Sequence, residues 1–98
     1  MDYVATLVAD APVTKPEALG IIAAALDAPV QGAHTAHPFV AMPGGSRVEV
    51  DIPKFGEAPP LAIDVHDPRG EAEARTAADT LLTILSIATA WPLHRLHD

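Results

Sequence analysis

Residues 71–91 read EAEARTAADTLLTILSIATAW, and the fold follows from whether this run is taken as one helix. Ala74, Ala77, Ala78, Leu81, Leu85 and Ala88 recur at helical spacing, and Leu82, Ile84 and Ile87 widen the stripe until most of the circumference is apolar. That pattern predicts one long helix covered on more than one side. The remaining strip is Thr76, Asp79, Thr80, Thr83, Ser86 and Thr89, where a solvated helix usually carries Lys, Glu and Arg. Two readings of the strip stay open. The hydroxyls can bond back to the carbonyl four residues earlier and face water. Alternatively, small residues let this helix approach its copy in a second subunit, which makes Thr76, Thr80, Thr83 and Ser86 the expected interface of a twofold homodimer. No membrane span is expected, because the uncharged run is interrupted by hydroxyls, an imidazole and Pro92 and falls short of the ~20 apolar residues a span needs.

Upstream of this helix, two segments alternate with period two. Residues 61–67 place Leu61, Ile63 and Val65 inward with Ala62, Asp64 and His66 outward. Residues 47–52 place Val48, Val50 and Ile52 inward with Arg47, Glu49 and Asp51 outward. Pro43, Gly44 and Gly45 form a turn before the second segment, and residues 53–60 form a loop with Phe55 and Gly56 at its tip. Residues 30–42 are less regular, and Pro38 donates no ladder hydrogen bond, so they read as one edge strand or a strand bulged near His37 and Pro38. Residues 3–9 are β-prone. Thr14, Lys15, Pro16 and Glu17 make a capping box. The helix it opens runs to about Asp27, buries Leu19, Ile22, Ala23 and Leu26, and cannot pass Pro29.

At the other end, Asp67 followed by Pro68 suits a helix cap with proline in the first turn, so the long helix could begin there. Arg75 is spaced to pair with Glu71 and Asp79. Pro92 ends or kinks the helix after Trp91, which packs at the helix end or floors a pocket. The tail is expected to add at most a turn, with Leu93 and Leu96 docked on the core and His94 and Arg95 near the negative helix end.

The expected architecture is a single α+β domain over residues 1–98, in the order β-α-β-β-β-α. It is a two-layer sandwich with a mostly antiparallel four-stranded sheet and two helices on one face. A ferredoxin-like arrangement needs one more strand after the last helix, where no β pattern is visible. The helix, three strands and helix also resemble the outline of a double-stranded-RNA-binding domain, with a similar alanine pattern over residues 70–82. Residues 71–73 are acidic, however, where RNA binding needs basic side chains.

Charge narrows the partners. Six Lys and Arg stand against 13 Asp and Glu, for a net charge of −7, which argues against nucleic acid and would steer a basic protein toward the surface. With 49% hydrophobic residues the chain has enough apolar content to fold. It has no cysteine, which removes disulfides, thiol nucleophiles and Cys-based zinc sites. With no secretory pattern at its start, a cytoplasmic location is the expectation.

Chemistry can concentrate on the outward strand face at Glu49, Asp51, Asp64 and His66. Pairing Val50 with Ile63 sets Glu49 opposite Asp64 and Arg47 opposite His66; a two-residue shift sets Glu49 against His66 and Asp51 against Asp64. Either register crowds carboxylates, which a cation, a proton or a protonated His66 would relieve. The face therefore reads as an oxygen-rich metal site, an acid/base pair, an acidic surface for a partner, or ordinary solvated strand positions. His34 and His37 point to opposite faces of a regular strand, so joining them with His66 at a metal requires the bulge.

No catalytic residue, metal-ligand set or cofactor is assigned. Ser46 lacks a nucleophile elbow, and Gly44 and Gly45 lack the spacing of a phosphate loop. The expected function is a small acidic binding or regulatory protein acting through protein–protein contacts, as an inhibitor or immunity-type protein against a basic partner would. The alternative is a small enzyme or metal-dependent ligand binder built on Glu49, Asp51, Asp64 and His66, and enzymatic status stays open. A concave pocket around these residues favours the second, and a flat face favours the first.

Overall fold

The computed structural model describes residues 3–51 and 61–96. The elements are β1 (Tyr3–Ala9), α1 (Lys15–Leu26), β2 (Val30–Gln31), β3 (Phe39–Ala41), β4 (Arg47–Asp51), β5 (Leu61–Asp67), α2 (Glu71–Ala88) and β6 (Leu93–Arg95). They form an α+β fold with one antiparallel sheet in the order β2-β3-β4-β5-β1-β6. The sheet has six strands, not the expected four. Its β4-β5-β1-β6 portion, with helices following β1 and β5, is the split β-α-β arrangement of a ferredoxin-like sheet, extended past β4 by the β3 and β2 hairpin.

Each extra strand has a local cause. Residues 30–42 divide in two because Gly32 adopts φ +65° and the chain turns there. The Thr35 hydroxyl donates to the Gly32 carbonyl at 2.7 Å and accepts the His37 N–H at 3.3 Å, which holds the turn. The tail becomes β6 rather than a helical turn because β1 offers it a free edge. Asp10 donates its N–H to the Pro92 carbonyl and Leu96 donates to the Thr6 carbonyl, each at 3.0 Å, bracketing the three paired residues. Pro92 lies just before the strand, where its missing N–H takes nothing from the ladder. Arg95 consequently stands far from the helix end and pairs with Asp79, while Arg75 pairs with Glu71 at 3.0 Å.

The capping box closes as the sequence predicts. Thr14 Oγ1 accepts the Glu17 N–H and Glu17 Oε1 accepts the Thr14 N–H, both at 3.3 Å. α1 buries Ala18, Leu19, Ile22 and Ala23 and ends at Asp27, whose φ is +52°. α2 begins at Glu71, not at Pro68, with Gly70 as its cap residue, because Asp67 remains in β5. It ends at Ala88, where the Thr89 hydroxyl and N–H both donate to the Leu85 carbonyl and extended backbone follows.

The core lies between the helices and the inner sheet face. Leu7, Val48, Val50, Ile63 and Val65 meet Leu19 and Ile22 of α1 and Leu81 and Leu85 of α2. Each large aliphatic chain buried in this way contributes about 1.5–3 kcal/mol. Trp91 and Leu93 pack on the margin of this cluster. α2 is covered on one side, not on several: Ala74, Ala78, Leu81 and Leu85 are buried, Leu82 and Ile84 are half-buried, and Ile87 is 83% exposed. Among the described residues, no helix is long and apolar enough to cross a membrane. Ile52 and the expected 53–60 loop lie outside the described residues.

Candidate functional site

Antiparallel pairing lays the outer residues of β4, β5 and β1 in three rows. Arg47, His66 and Val4 form one, Glu49, Asp64 and Thr6 the next, and Asp51, Ala62 and Val8 the third. This is the register that sets Glu49 opposite Asp64. The two carboxylates have separate partners. Asp64 Oδ1 accepts the Thr6 hydroxyl at 2.7 Å, while Glu49 Oε2 lies 3.1 Å from Arg47 Nε and 3.4 Å from His66 Nε2. Repulsion across the pair is thus offset by a donor on each flank. Asp51 is exposed at the end of β4.

These outer side chains lie on the sheet face opposite the helices and neighbour one another across the strands. Residues of β5 alternate between fully buried inward positions and half-buried outward ones, and both helices pack on the inner side. The side chains of Glu49 and His66 keep 23% and 19% of their exposure. His94 of β6 joins the face beside Val8. Phe39 and Ala41 extend it on the other flank, Ala41 being paired with Arg47. Among the described residues, no three of His, Asp and Glu are grouped so as to hold a metal ion. His34 and His37 lie exposed in the turn between β2 and β3, and the structure does not group them with His66.

On α2, Thr76, Thr80, Thr83 and Ser86 are all exposed. Thr80 donates to the Thr76 carbonyl at 3.0 Å and Thr83 to the Asp79 carbonyl at 3.1 Å, the back-bonding of a hydroxyl-bearing helix. Ile87 continues the line one turn beyond Thr83, so an exposed aliphatic side chain adjoins the hydroxyl strip.

A further polar cluster sits at the end of β5, where the sequence suggested a helix cap. Asp67 faces inward and is 0% exposed. Ser46 Oγ donates to its Oδ2 at 2.6 Å; Arg69 donates from its backbone N–H at 2.8 Å and from Nε and Nη2 at 2.9 and 2.6 Å. The Arg69 guanidinium, helped by the Ser46 hydroxyl, holds the Asp67 carboxyl well below the usual carboxylate range against the opposing effect of burial. Asp67 in turn raises the basicity of Arg69. The inward alternation Leu61, Ile63, Val65 points to Asp67 as its next member, whereas the Asp-Pro pair by itself resembles a helix cap. The cluster joins the turn between β3 and β4 to the end of β5, and its acceptor is saturated by donors.

Two clefts open elsewhere. One, of about 320 Å³, lies between that turn and α2 and is lined by Met42, Ser46, Arg69, Glu73, Thr76 and Thr80. The other, of about 450 Å³, lies between the start of α1 and the segment joining β2 to β3. Neither is lined by Glu49, Asp51, Asp64 or His66. No protein-family model, curated protein or solved structure matches the chain.

Proposed function

We propose that this is a small binding or regulatory protein that acts through protein–protein contact, presenting the acidic outer face of its sheet to a basic partner. One observation carries the reading: Glu49, Asp51 and Asp64 lie together on the outer sheet face, opposite the helices, bordered by Val4 and Val8 and lining neither of the two clefts. Carboxylates steer a basic surface into register, and apolar neighbours supply contact area once it arrives. Catalysis would need these groups on the wall of a cleft, whereas their paired, side-by-side setting suits recognition better. Inhibition of a basic protein is the role that such a face would serve most directly.

Self-association through α2 is a second reading, favoured by the exposure of Ile87 in line with Thr76, Thr80 and Thr83. An exposed aliphatic beside small hydroxyl residues permits close approach of two copies about a twofold axis.

Native mass spectrometry of the chain purified from its own host tests both. The expected spectrum of the wild type contains a retained basic protein, which is lost from a Glu49→Lys, Asp51→Lys double variant. A wild type carrying a metal ion or small molecule in place of a protein would overturn this reading in favour of ligand binding or catalysis. A bare monomer at micromolar concentration would remove the dimer.

A further inference from the structure

We infer that the cleft between the start of α1 and the segment joining β2 to β3 binds a small amphipathic carboxylate, with Lys15 as its anchor. The cleft's volume of about 450 Å³ is in the range of small-molecule sites, and Leu19, Val30, Ala36 and Pro38 give it apolar walls. Its polar groups are few. The Thr35 hydroxyl is already committed to the Gly32 carbonyl, which leaves Lys15 as the charged group of the lining.

The state of Lys15 is unusual in this chain. Acidic residues outnumber basic ones by 13 to 6, and Arg47, Arg69, Arg75 and Arg95 each face a carboxylate. Among the described residues, Lys15 is the cation without such a partner, although it is half-buried. The nearest acid in sequence, Glu17, is turned to the helix cap, where its carboxylate accepts from the Thr14 N–H and hydroxyl. A half-buried lysine beside an apolar cleft, its stem along the wall and its ammonium at the rim, suits an anionic head on a hydrocarbon body. One flexible ammonium without flanking donors suits a singly charged carboxylate better than a phosphate, which gathers several donors or an arginine fork.

The test is titration of the isotopically labelled full chain with octanoate, and separately with 1-octanol, followed by amide chemical shifts. Octanoate is expected to saturate at one site, with shifts confined to residues 15–19 and 30–38. Lys15→Gln, which keeps most of the side-chain length and breaks no ion pair, should weaken octanoate about tenfold and leave octanol unchanged, the loss appropriate to one charge-assisted contact. Ala33→Trp, which fills the cleft without touching the charge, should abolish both. Equal affinity of Lys15→Gln and wild type for octanoate, shifts centred on the sheet face, or no saturation would each overturn the assignment.

Discussion

Asp64 and Asp67 stand three residues apart on the same strand, and the pleat sends them to opposite environments. Asp67 points into the molecule, is fully buried, and is met by Ser46 and by both the backbone and side chain of Arg69. Asp64 points outward, takes one hydroxyl from Thr6, and sits beside another carboxylate. The inward acid is built into the architecture; the outward acid is held by one hydroxyl on the outer face. An acidic residue in a strand therefore carries little functional meaning until its face and donors are known.

The largest expected effect comes from removing the inward charge. Asp67→Asn leaves Arg69 without its counter-charge, and a thermal melt should show a loss on the order of 10 °C, with Ser46→Ala losing part of that amount. The acid dependence sharpens the same point. Because the folded-state carboxyl is held below its ordinary value of 3.8, its stabilisation is fully present above that pH and is lost as the pH falls below it. Urea melts from pH 7 to pH 2 should therefore show wild type and Asp67→Asn converging in acid; a gap independent of pH would break the assignment.

Thr83→Lys comes next. It should leave the melting temperature within a few degrees and convert any dimer to monomer by sedimentation, since the residue is exposed and its hydroxyl bonds only to its own helix. The smallest effect belongs to the outward acid: Asp64→Asn should change stability by less than about 0.5 kcal/mol, as loss of repulsion from Glu49 offsets a weaker Thr6 hydrogen bond. A rise beyond that in chelator-treated protein, absent from untreated protein, would show a cation between the two carboxylates.

Much of this contrast is legible in the sequence. The alternation in residues 47–51 and 61–67 predicts the faces, and the pairing of Val50 with Ile63 is one of the two registers it allows. Thr14 and Glu17 announce α1 through a cap whose spacing is nearly unique to helix starts. β6 was hidden because three residues are too few to display a period, and its stability comes from the distant β1 edge. The division of residues 30–42 depends on a glycine conformation and a threonine side-chain bond that spacing does not encode. Among site residues, the grouping of Glu49, Asp64 and His66 was visible as a register. The Asp67 cluster was not, since Ser46 and Asp67 lie 21 positions apart and meet only through the β3–β4 turn.

The central claim is that the outer sheet face is the working surface, and carboxyl footprinting with a water-soluble carbodiimide tests it residue by residue. In the purified chain, Glu49, Asp51 and Asp64 should take the label while Asp67 stays unmodified. In an extract of the host, the account predicts that those three lose label together, whereas Glu71 and Asp79 on α2 keep theirs. Unchanged labelling of the sheet face, with protection appearing on α2 instead, would contradict it.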